Sequence, residues 1–241
     1  MFELVIFLFV VSVIVYVVYH ITSSDGVEAQ LCQQENIELI SSVTSLFRGT
    51  ASEKHLILTL LKYGVNSGAI FHDLYIYRPD GKTTQVDVVV ATSVGIIVFE
   101  VKEYSGWIYG NGKQQKWTQV LSYGKQKYRF YNPVFQNRSH ILQLQRILKE
   151  DVPFYSVIVF YGDCKLQDIS FIPQNTFITK FYRVTDVVDT ILHSNHMAKY
   201  KNKNNVIKIL KKAVANGNND KIEEKHIDKI KDMLGDGRVF K

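Results

Sequence analysis

The sequence predicts a mixed α/β domain around one sheet, and two patterns carry this prediction. Apolar strands and amphipathic helices follow one another between residues 50 and 193 in the order helix, three strands, helix, strand, strand, helix. The strands at 85–90 and 95–102 are nearly continuous Val, Ile and Phe, as expected of strands covered on both faces. With 241 residues, 46% of them hydrophobic, the chain has room for one sizeable domain and accessory segments.

The first twenty residues are predicted to be a transmembrane helix. Leu4 to Tyr19 is apolar except for Ser12, and its length is close to the lower limit for spanning a bilayer. A cleaved signal peptide is the alternative, although no Lys or Arg precedes the apolar run. Positive charge lies only after the run, which favours a single-pass membrane protein with its bulk in the cytoplasm. Residues 21–47 would then form a juxtamembrane linker or helix.

The predicted domain, residues 48–200, begins with a helix. Thr50-Ala51-Ser52-Glu53 matches a capping box, in which Thr50 caps the helix and Glu53 reaches back to it, and Gly64 ends the helix. The remaining elements are strands at 70–78, 83–90 and 95–102, a helix at 137–150, strands at 154–161 and 176–181, and a helix at 185–193.

The tail, residues 201–241, is predicted to be a basic helical hairpin. From Lys199 onward the chain holds twelve Lys or Arg and six Asp or Glu. Helices are predicted at 205–215 and 220–234, the second with its own capping box. A solvated hairpin packed on the main domain is one interpretation of this composition. A basic face for nucleic acid or anionic lipid is the other.

Two acids and a lysine stand on otherwise apolar neighbouring strands. If Ala91 pairs with Ile96 across a tight hairpin, Asp87 lies opposite Glu100, and Lys102 follows on the same face. Like charges in that position are destabilising, whereas Mg²⁺ takes oxygen ligands from one or two carboxylates, water and phosphate. The alternative is that the acids face solvent at a sheet edge and pair with Lys102.

The segment from Tyr104 to Lys149 contains no Asp or Glu and eight Lys or Arg. Trp, Tyr and Phe residues are interspersed among the basic ones. Basic residues beside stacking side chains suit a polyanion with exposed bases. A positively charged surface without a ligand is the alternative. The basic residues that we predict to contact nucleic acid are Lys113, Lys116, Lys125, Lys127, Arg129 and Arg138.

A run of ordered motifs extends through the same region. These are Gln85-x-Asp87, Gly95-Ile96-x-Val98-x-Glu100-x-Lys102, Ser105-Gly106-Trp107-Ile108-x-Gly110, Trp117-Thr118-Gln119, Tyr131-Asn132-Pro133-x-x-Gln136-Asn137 and His140-Ile141. In this order they resemble the nuclease-related domain (NERD) family over about residues 49–148. That family looks like a branch of the PD-(D/E)xK nuclease superfamily. The resemblance implies a restriction-endonuclease-like fold, a central mixed sheet flanked by helices, and phosphodiester cleavage that depends on Mg²⁺, or on Mn²⁺ in its place.

The resemblance also implies roles for individual residues. Asp87 and Glu100 would be metal ligands, and Lys102 would be the catalytic lysine. Glu53 would be the acid that the helix contributes to the site, and Gln85 an accessory polar residue. For Glu53 the capping box is the alternative explanation.

Four further motif residues have both structural and functional interpretations. Gln136 and Asn137 either cap the helix that follows or contact phosphate. Trp117 is predicted to be a core residue rather than a stacking platform. His140 is predicted to pack in the interior or contact phosphate rather than bind metal.

Three functions are compatible with the sequence. The first is a membrane-anchored, Mg²⁺-dependent nuclease that acts on DNA, in DNA processing or defence. The second is a non-catalytic nucleic-acid-binding module tethered to the membrane, and the third is a membrane-bound interaction protein whose acids are structural. Intact Asp87, Glu100 and Lys102 favour the first. Two cysteines fit neither a disulfide framework nor a cysteine-rich zinc site, and they indicate reduced thiols in a cytosolic setting.

Overall fold

The structure, a computed structural model, describes residues 26–121 and 124–217. The predicted transmembrane helix and the second predicted helix of the tail lie outside these ranges. Residues 26–31 are helical, and the helices that follow are α1 (Gln34–Ser41), α2 (Ala51–Tyr63), α3 (Pro133–Leu148), α4 (Val184–Ser194) and α5 (Lys203–Asn216). The strands are β1 (Ile70–Tyr77), β2 (Thr83–Thr92), β3 (Gly95–Glu103), β4 (Gly106–Asn111), β5 (Lys116–Leu121), β6 (Gln126–Tyr131), β7 (Phe154–Tyr161), β8 (Cys164–Ser170) and β9 (Thr176–Lys180). In the two described ranges, no helix is long and apolar enough to cross a membrane.

Two mixed sheets flanked by helices form the framework. The main sheet has the order β1-β2-β3-β7-β9, with β1 to β3 antiparallel and β7 and β9 parallel to β3. The second sheet has the order β6-β5-β4-β8, with β8 parallel to β4. The α/β class was predicted correctly, but the prediction of a single sheet was wrong because residues 106–131 form three strands of their own.

The main sheet is covered by helices on both faces. On one face, Leu56 of α2 and Val188 of α4 pack in the same cluster as Phe99 of β3. On the opposite face, Leu144 of α3 packs with Val98 of β3, and α5 joins this layer. Helices on both sides explain why β3 and β7 are continuous apolar runs.

The helix α2 has the ends that its sequence predicts. The Thr50 side chain accepts the backbone N–H of Glu53, and the Glu53 side chain reaches back to the backbone N–H of Thr50, so the capping box is complete. Gly64 closes the helix in the left-handed conformation at φ 103°, where glycine has no steric cost.

The helix α3 begins four residues before its predicted start. The Asn132 side chain accepts the backbone N–H of Val134 and caps the helix, and Pro133 fits the first turn. Gln136 and Asn137 therefore do not cap it, and the capping interpretation of these two residues was wrong.

The second sheet turns an apolar inner face toward the main sheet. Ile108, Trp117 and Phe130 project from this face and form a cluster with Ile158 and Phe160 of β7. Trp117 is 1% exposed and stacks on Phe160 with ring centroids 6.2 Å apart. The prediction that Trp117 is a core residue is therefore confirmed.

The first helix of the basic tail packs on the main sheet. Val206 and Leu210 of α5 are buried with Leu74 and Ile76 of β1. The division at residue 201 between domain and tail stays a prediction, but α5 shares its core with the domain before it.

Candidate functional site

The hairpin of β2 and β3 pairs in the predicted register, with Ala91 opposite Ile96. The ladder stops one residue short of Asp87 and Glu100, which stand opposite each other in that register. There the Oδ2 of Asp87 accepts the backbone N–H of Val101 at 2.8 Å. The two acids therefore lie together at the point where the backbone pairing of the two strands ends.

The Glu100 carboxylate is the most buried charged group of this cluster. Only 1% of Glu100 is exposed. Its Oε1 lies 2.6 Å from Lys102 Nζ, and its Oε2 lies 3.2 Å from His140 Nε2. The second contact lacks hydrogen-bond geometry, so within the described residues Oε2 of Glu100 and Nε2 of His140 have no hydrogen-bond partner. The other ring nitrogen of His140 lies 3.0 Å from the hydroxyl of Thr84.

The charges of the cluster shift the pKa values of three groups. Burial raises the pKa of Glu100, but Lys102 and His140 outweigh burial and leave this pKa below its ordinary value. Burial lowers the pKa of Lys102, but Glu100 and Asp87 outweigh it and raise the net value. The pKa of Asp87 is raised well above its ordinary value by burial and by the negative charges of Glu100 and Glu53. Asp87 therefore keeps its proton to a higher pH than an ordinary aspartate does.

Glu53 is held by neighbours of its own rather than by the Glu100 cluster. Its Oε2 lies 2.9 Å from Nε2 of His72, whose Nδ1 lies 2.7 Å from the hydroxyl of Thr44. Its Oε1 accepts the Thr50 hydroxyl at 3.1 Å. The charge of Glu53 still contributes to the raised pKa of Asp87. The structure thus gives Glu53 the capping role and also an electrostatic influence on the site.

The close approach of Glu53 and His72 depends on Gly49. Gly49 has φ +68°, and a Cβ at this position would lie 2.4 Å from Glu53 Oε2 and 2.5 Å from His72 Nε2. Both the backbone conformation and the space therefore require glycine.

Gln85 lies beside Asp73 rather than in the Glu100 cluster. Its side-chain amide donates to Oδ1 of Asp73 at 2.6 Å, and Arg48 Nε donates to Oδ2 at 2.9 Å. Asp73 has φ +55°, and it interrupts the pairing of β1 with β2 at the position opposite Asp87. A non-glycine residue in this conformation stores strain. Gln85 therefore supports a distorted part of β1 next to the site.

The predicted nucleic-acid contacts divide into exposed and buried residues. Asn137 is fully buried, and its amide donates to the carbonyl of Val98 at 2.8 Å and the hydroxyl of Ser156 at 2.9 Å. This burial contradicts the predicted contact of Asn137 with phosphate and assigns it to packing of α3 on β3 and β7. Gln136 is half-buried. The exposed members are Lys113, Lys116, Lys125, Lys127, Arg129 and Arg138.

The structure shows contacts within the site that the sequence pattern did not indicate. His140 and Thr84 join Glu100, while His72 joins Glu53. His140 was predicted to pack in the interior or to contact phosphate, and it is 6% exposed. Each of these contacts joins different elements, so helical or strand periodicity carries no signal for them.

The donor set of the cluster limits which cofactor it fits. In the described ranges, no group of three or more His, Cys, Asp or Glu side chains is arranged to hold a metal ion. Asp87 and Glu100 supply two carboxylates, and Glu100 Oε2 receives no hydrogen bond within the described residues. Mg²⁺ commonly uses one or two carboxylates and fills its remaining positions with water and phosphate. The pair therefore fits Mg²⁺ but not a closed, all-protein metal site.

Comparison with known proteins extends this geometry. Residues 48–161 match the family model of the nuclease-related domain, NERD. An uncharacterised protein of Bacillus anthracis is 34% identical over 124 residues, which make up 52% of this chain and 58% of the relative. No solved structure matches the chain. The match to the domain model includes α2, β2, β3 and α3, which are the elements that carry Glu53, Asp87, Glu100 and His140.

Proposed function

Because residues 48–161 form a nuclease-related domain, we propose that this protein is a nuclease that hydrolyses phosphodiester bonds in nucleic acid. The proposed substrate is DNA, and the proposed cofactor is Mg²⁺, with Mn²⁺ as a substitute. DNA processing and defence are the two processes in which we place this activity.

The Glu100 carboxylate is the observation that carries the proposal. It is buried in a protein interior, where a charge without full compensation is costly. The ammonium of Lys102, 2.6 Å from Oε1, compensates the negative charge of Glu100, but Asp87 places a second acid beside it. Burial and the charges of Glu100 and Glu53 raise the pKa of Asp87, and a bound cation would lower it again. A cluster of this kind is better suited to binding a cation and an anionic substrate than to stabilising the fold.

Each residue of the cluster has a part in the proposed reaction. Asp87 and Glu100 would hold the divalent ion, which would lower the pKa of a bound water and stabilise charge on the phosphate oxygens. Lys102 is protonated because the acids raise its pKa, and its side chain is 20% exposed, so it can meet a phosphate oxygen. His140 would orient Oε2 of Glu100, which lies 3.2 Å from its Nε2, and its other ring nitrogen lies 3.0 Å from the Thr84 hydroxyl.

We also propose that the N-terminal apolar segment, residues 4–19, anchors the protein in a membrane with the nuclease domain in the cytoplasm. The support is its apolar composition and the position of the positive charges after it. If the segment spans the membrane, carbonate washing will leave the protein in the membrane pellet. Release of the protein into the wash would refute the anchor.

A cleavage assay on the full chain tests the proposed reaction. Linear duplex DNA, single-stranded DNA and RNA are incubated with Mg²⁺, with Mn²⁺ or with chelator, using wild type, Asp87→Asn and Lys102→Met. Cleavage is expected with metal in the wild type, and both variants are expected to lose at least 100-fold in rate. The thermal midpoint of the wild type is expected to rise on addition of Mg²⁺, and that of Asp87→Asn to stay unchanged.

Matched controls separate the site from general charge effects. Asp168→Asn removes an exposed acid of β8, and Lys211→Met removes an exposed lysine of α5. Both are expected to cleave at wild-type rate. Cleavage that persists in Asp87→Asn and Lys102→Met would refute the site, and equal loss in the control variants would do the same.

A non-catalytic nucleic-acid-binding module is the second candidate, and one observation favours it. Glu53, the third acid of the family pattern, is bonded to His72 and Thr50, and in the described ranges no three metal-ligating side chains converge. Binding of nucleic acid without cleavage under every metal condition would support this function and exclude the nuclease.

A further inference from the structure

The second sheet has an outer face that points away from the apolar core. The side chains alternate along its strands: Trp117 and Phe130 pair with each other and point inward, while their chain neighbours Lys116 and Tyr131 also pair and point outward. The register of the four strands brings together six exposed outward residues, which we call the outer face: Trp107, Lys116, Lys127, Arg129, Tyr131 and Lys165. Nothing in the packing of the core needs large aromatic or basic residues here.

The register sets the order of aromatic and basic groups across this face. One row across the sheet consists of Lys165 of β8, Trp107 of β4, the buried Val120 of β5 and Lys127 of β6. At the other end of the strands, Lys116 of β5 pairs with Tyr131 of β6. Trp107 is 36% exposed and Tyr131 is 43% exposed. Strand spacing and rise place these two rings about 17 Å apart on the diagonal of the sheet.

The six residues of the outer face include basic and aromatic side chains but no acidic one. No Asp or Glu occurs anywhere in β4, β5 or β6. Asp168 of β8 and Asp163 just before it are the acids in this part of the fold. Within the described residues, Lys116, Lys127 and Arg129 make no ion pair. Their charges are therefore available to a ligand, and the ligand must be anionic.

We infer that the outer face binds single-stranded nucleic acid. Unpaired bases stack on Trp107 and Tyr131, and the basic side chains between the rings contact phosphates. A duplex hides the faces of its bases, so it cannot use the two rings. The choice of a nucleic acid as ligand rests on the proposed function, but binding here needs neither metal nor the Glu100 cluster. The substrate of the proposed nuclease would therefore contain a single-stranded segment that binds to the outer face.

Fluorescence anisotropy of labelled oligonucleotides, with the full chain in chelator, tests this inference. A twelve-nucleotide oligo(dT), its RNA equivalent and a duplex of equal length serve as probes. Trp107→Ala and Tyr131→Ala are each expected to weaken single-strand binding by about 5- to 150-fold. Lys127→Ala is expected to lower the slope of log affinity against log salt by about 0.7.

Two exposed residues outside this face provide matched controls. Tyr182→Ala removes a tyrosine that is 64% exposed beside α4, and Lys211→Ala removes an exposed lysine of α5. Neither is expected to change single-strand affinity more than twofold. The inference is overturned if wild type fails to bind the single strands, if Trp107→Ala behaves like Tyr182→Ala, or if the duplex binds as tightly as the single strand.

The two proposals fail separately. Single-strand binding that depends on Trp107 without any cleavage would leave the outer face intact and refute the nuclease. Cleavage by the wild type that is unaffected in Trp107→Ala and Tyr131→Ala, together with unchanged binding, would refute the outer face and leave the nuclease.

Discussion

Replacing Lys102 by Met tests the balance of charge around Glu100. Met keeps most of the volume of the lysine stem but removes the ammonium that lies 2.6 Å from Glu100 Oε1. The buried carboxylate then has only the His140 ring, 3.2 Å from Oε2, as a polar side-chain neighbour on its two oxygens. The folded protein is expected to lose stability because a buried acid has lost its partner.

The structure sets the size of this loss. Removing one partner of a buried ion pair generally costs about 3–5 kcal/mol. Glu100 is 1% exposed, but the Lys102 side chain is 20% exposed, so water screens part of the pair. His140 also remains, which places the expected loss in the free energy of unfolding near the lower end, at about 3 kcal/mol. For a chain of this size that corresponds to a fall of about 6–12 °C in Tm.

The loss is expected to depend on pH. In the wild type the pKa of Glu100 is lowered, so Glu100 stabilises the fold above its ordinary pKa and this stabilisation is lost as the pH falls through the lowered value. Without Lys102, burial is opposed only by His140, and the pKa of Glu100 rises. The difference between variant and wild type is therefore largest at about pH 8 and smaller at about pH 5, where the variant's Glu100 binds a proton.

Thermal and urea unfolding of the full chain in chelator, at both pH values, measure this effect. Lys211→Met serves as the control because its lysine is exposed on α5. This control is expected to stay within about 0.5 kcal/mol of wild type at both pH values. The reasoning is refuted if Lys102→Met costs no more than the control at about pH 8, or if its cost is the same at both pH values.

Three further predictions concern single sites. Asp87→Asn is expected to raise Tm in chelator at alkaline pH, because the raised pKa of Asp87 makes its ionised form destabilising. This gain in Tm is expected to vanish at acid pH, and a gain that does not depend on pH would contradict the prediction. Gly49→Ala is expected to lower the free energy of unfolding, measured with urea, by about 1–3 kcal/mol, which is more than the loss for the control Gly81→Ala. Both glycines have positive φ, but only at Gly49 would a Cβ lie against Glu53. Equal losses would show that the contact with Glu53 is relieved. Trp117→Ala is expected to cost about 3–5 kcal/mol in the same measurement, and a cost below 1 kcal/mol would refute its place in the core.

Local signals in the sequence predicted the main sheet and its first helix well. The capping box at Thr50 and the left-handed Gly64 both bracket α2 as expected. The register of β2 and β3 followed from one short hairpin, because side-chain alternation fixes every later pair once one is known. These features depend on residues close together in the chain.

The second sheet was missed because its strands are half exposed. The outward positions of β6 carry Lys127 and Arg129, so the composition of this segment is basic and polar. Only the alternation of these residues with Phe130 indicates a strand. The partners of the acids were missed for another reason. His140 meets Glu100, and His72 meets Glu53, only through packing between separate elements, which a single sequence does not encode as a pattern.

The parallel pairing of β3 with β7 has a consequence for how the protein is made. Glu100 pairs with Ile158, which the ribosome adds 58 residues later, after the whole of β4 to β6 and α3. The entropy of closing so long a loop is lost before the pairing of the two strands contributes stability, so this step is expected to be slow. A nascent chain that ends before β7 carries its acids in water, without the strand beside β3 that encloses them. The carboxylate cluster is therefore assembled late, so the two acids are synthesised well before the strand that encloses them has paired.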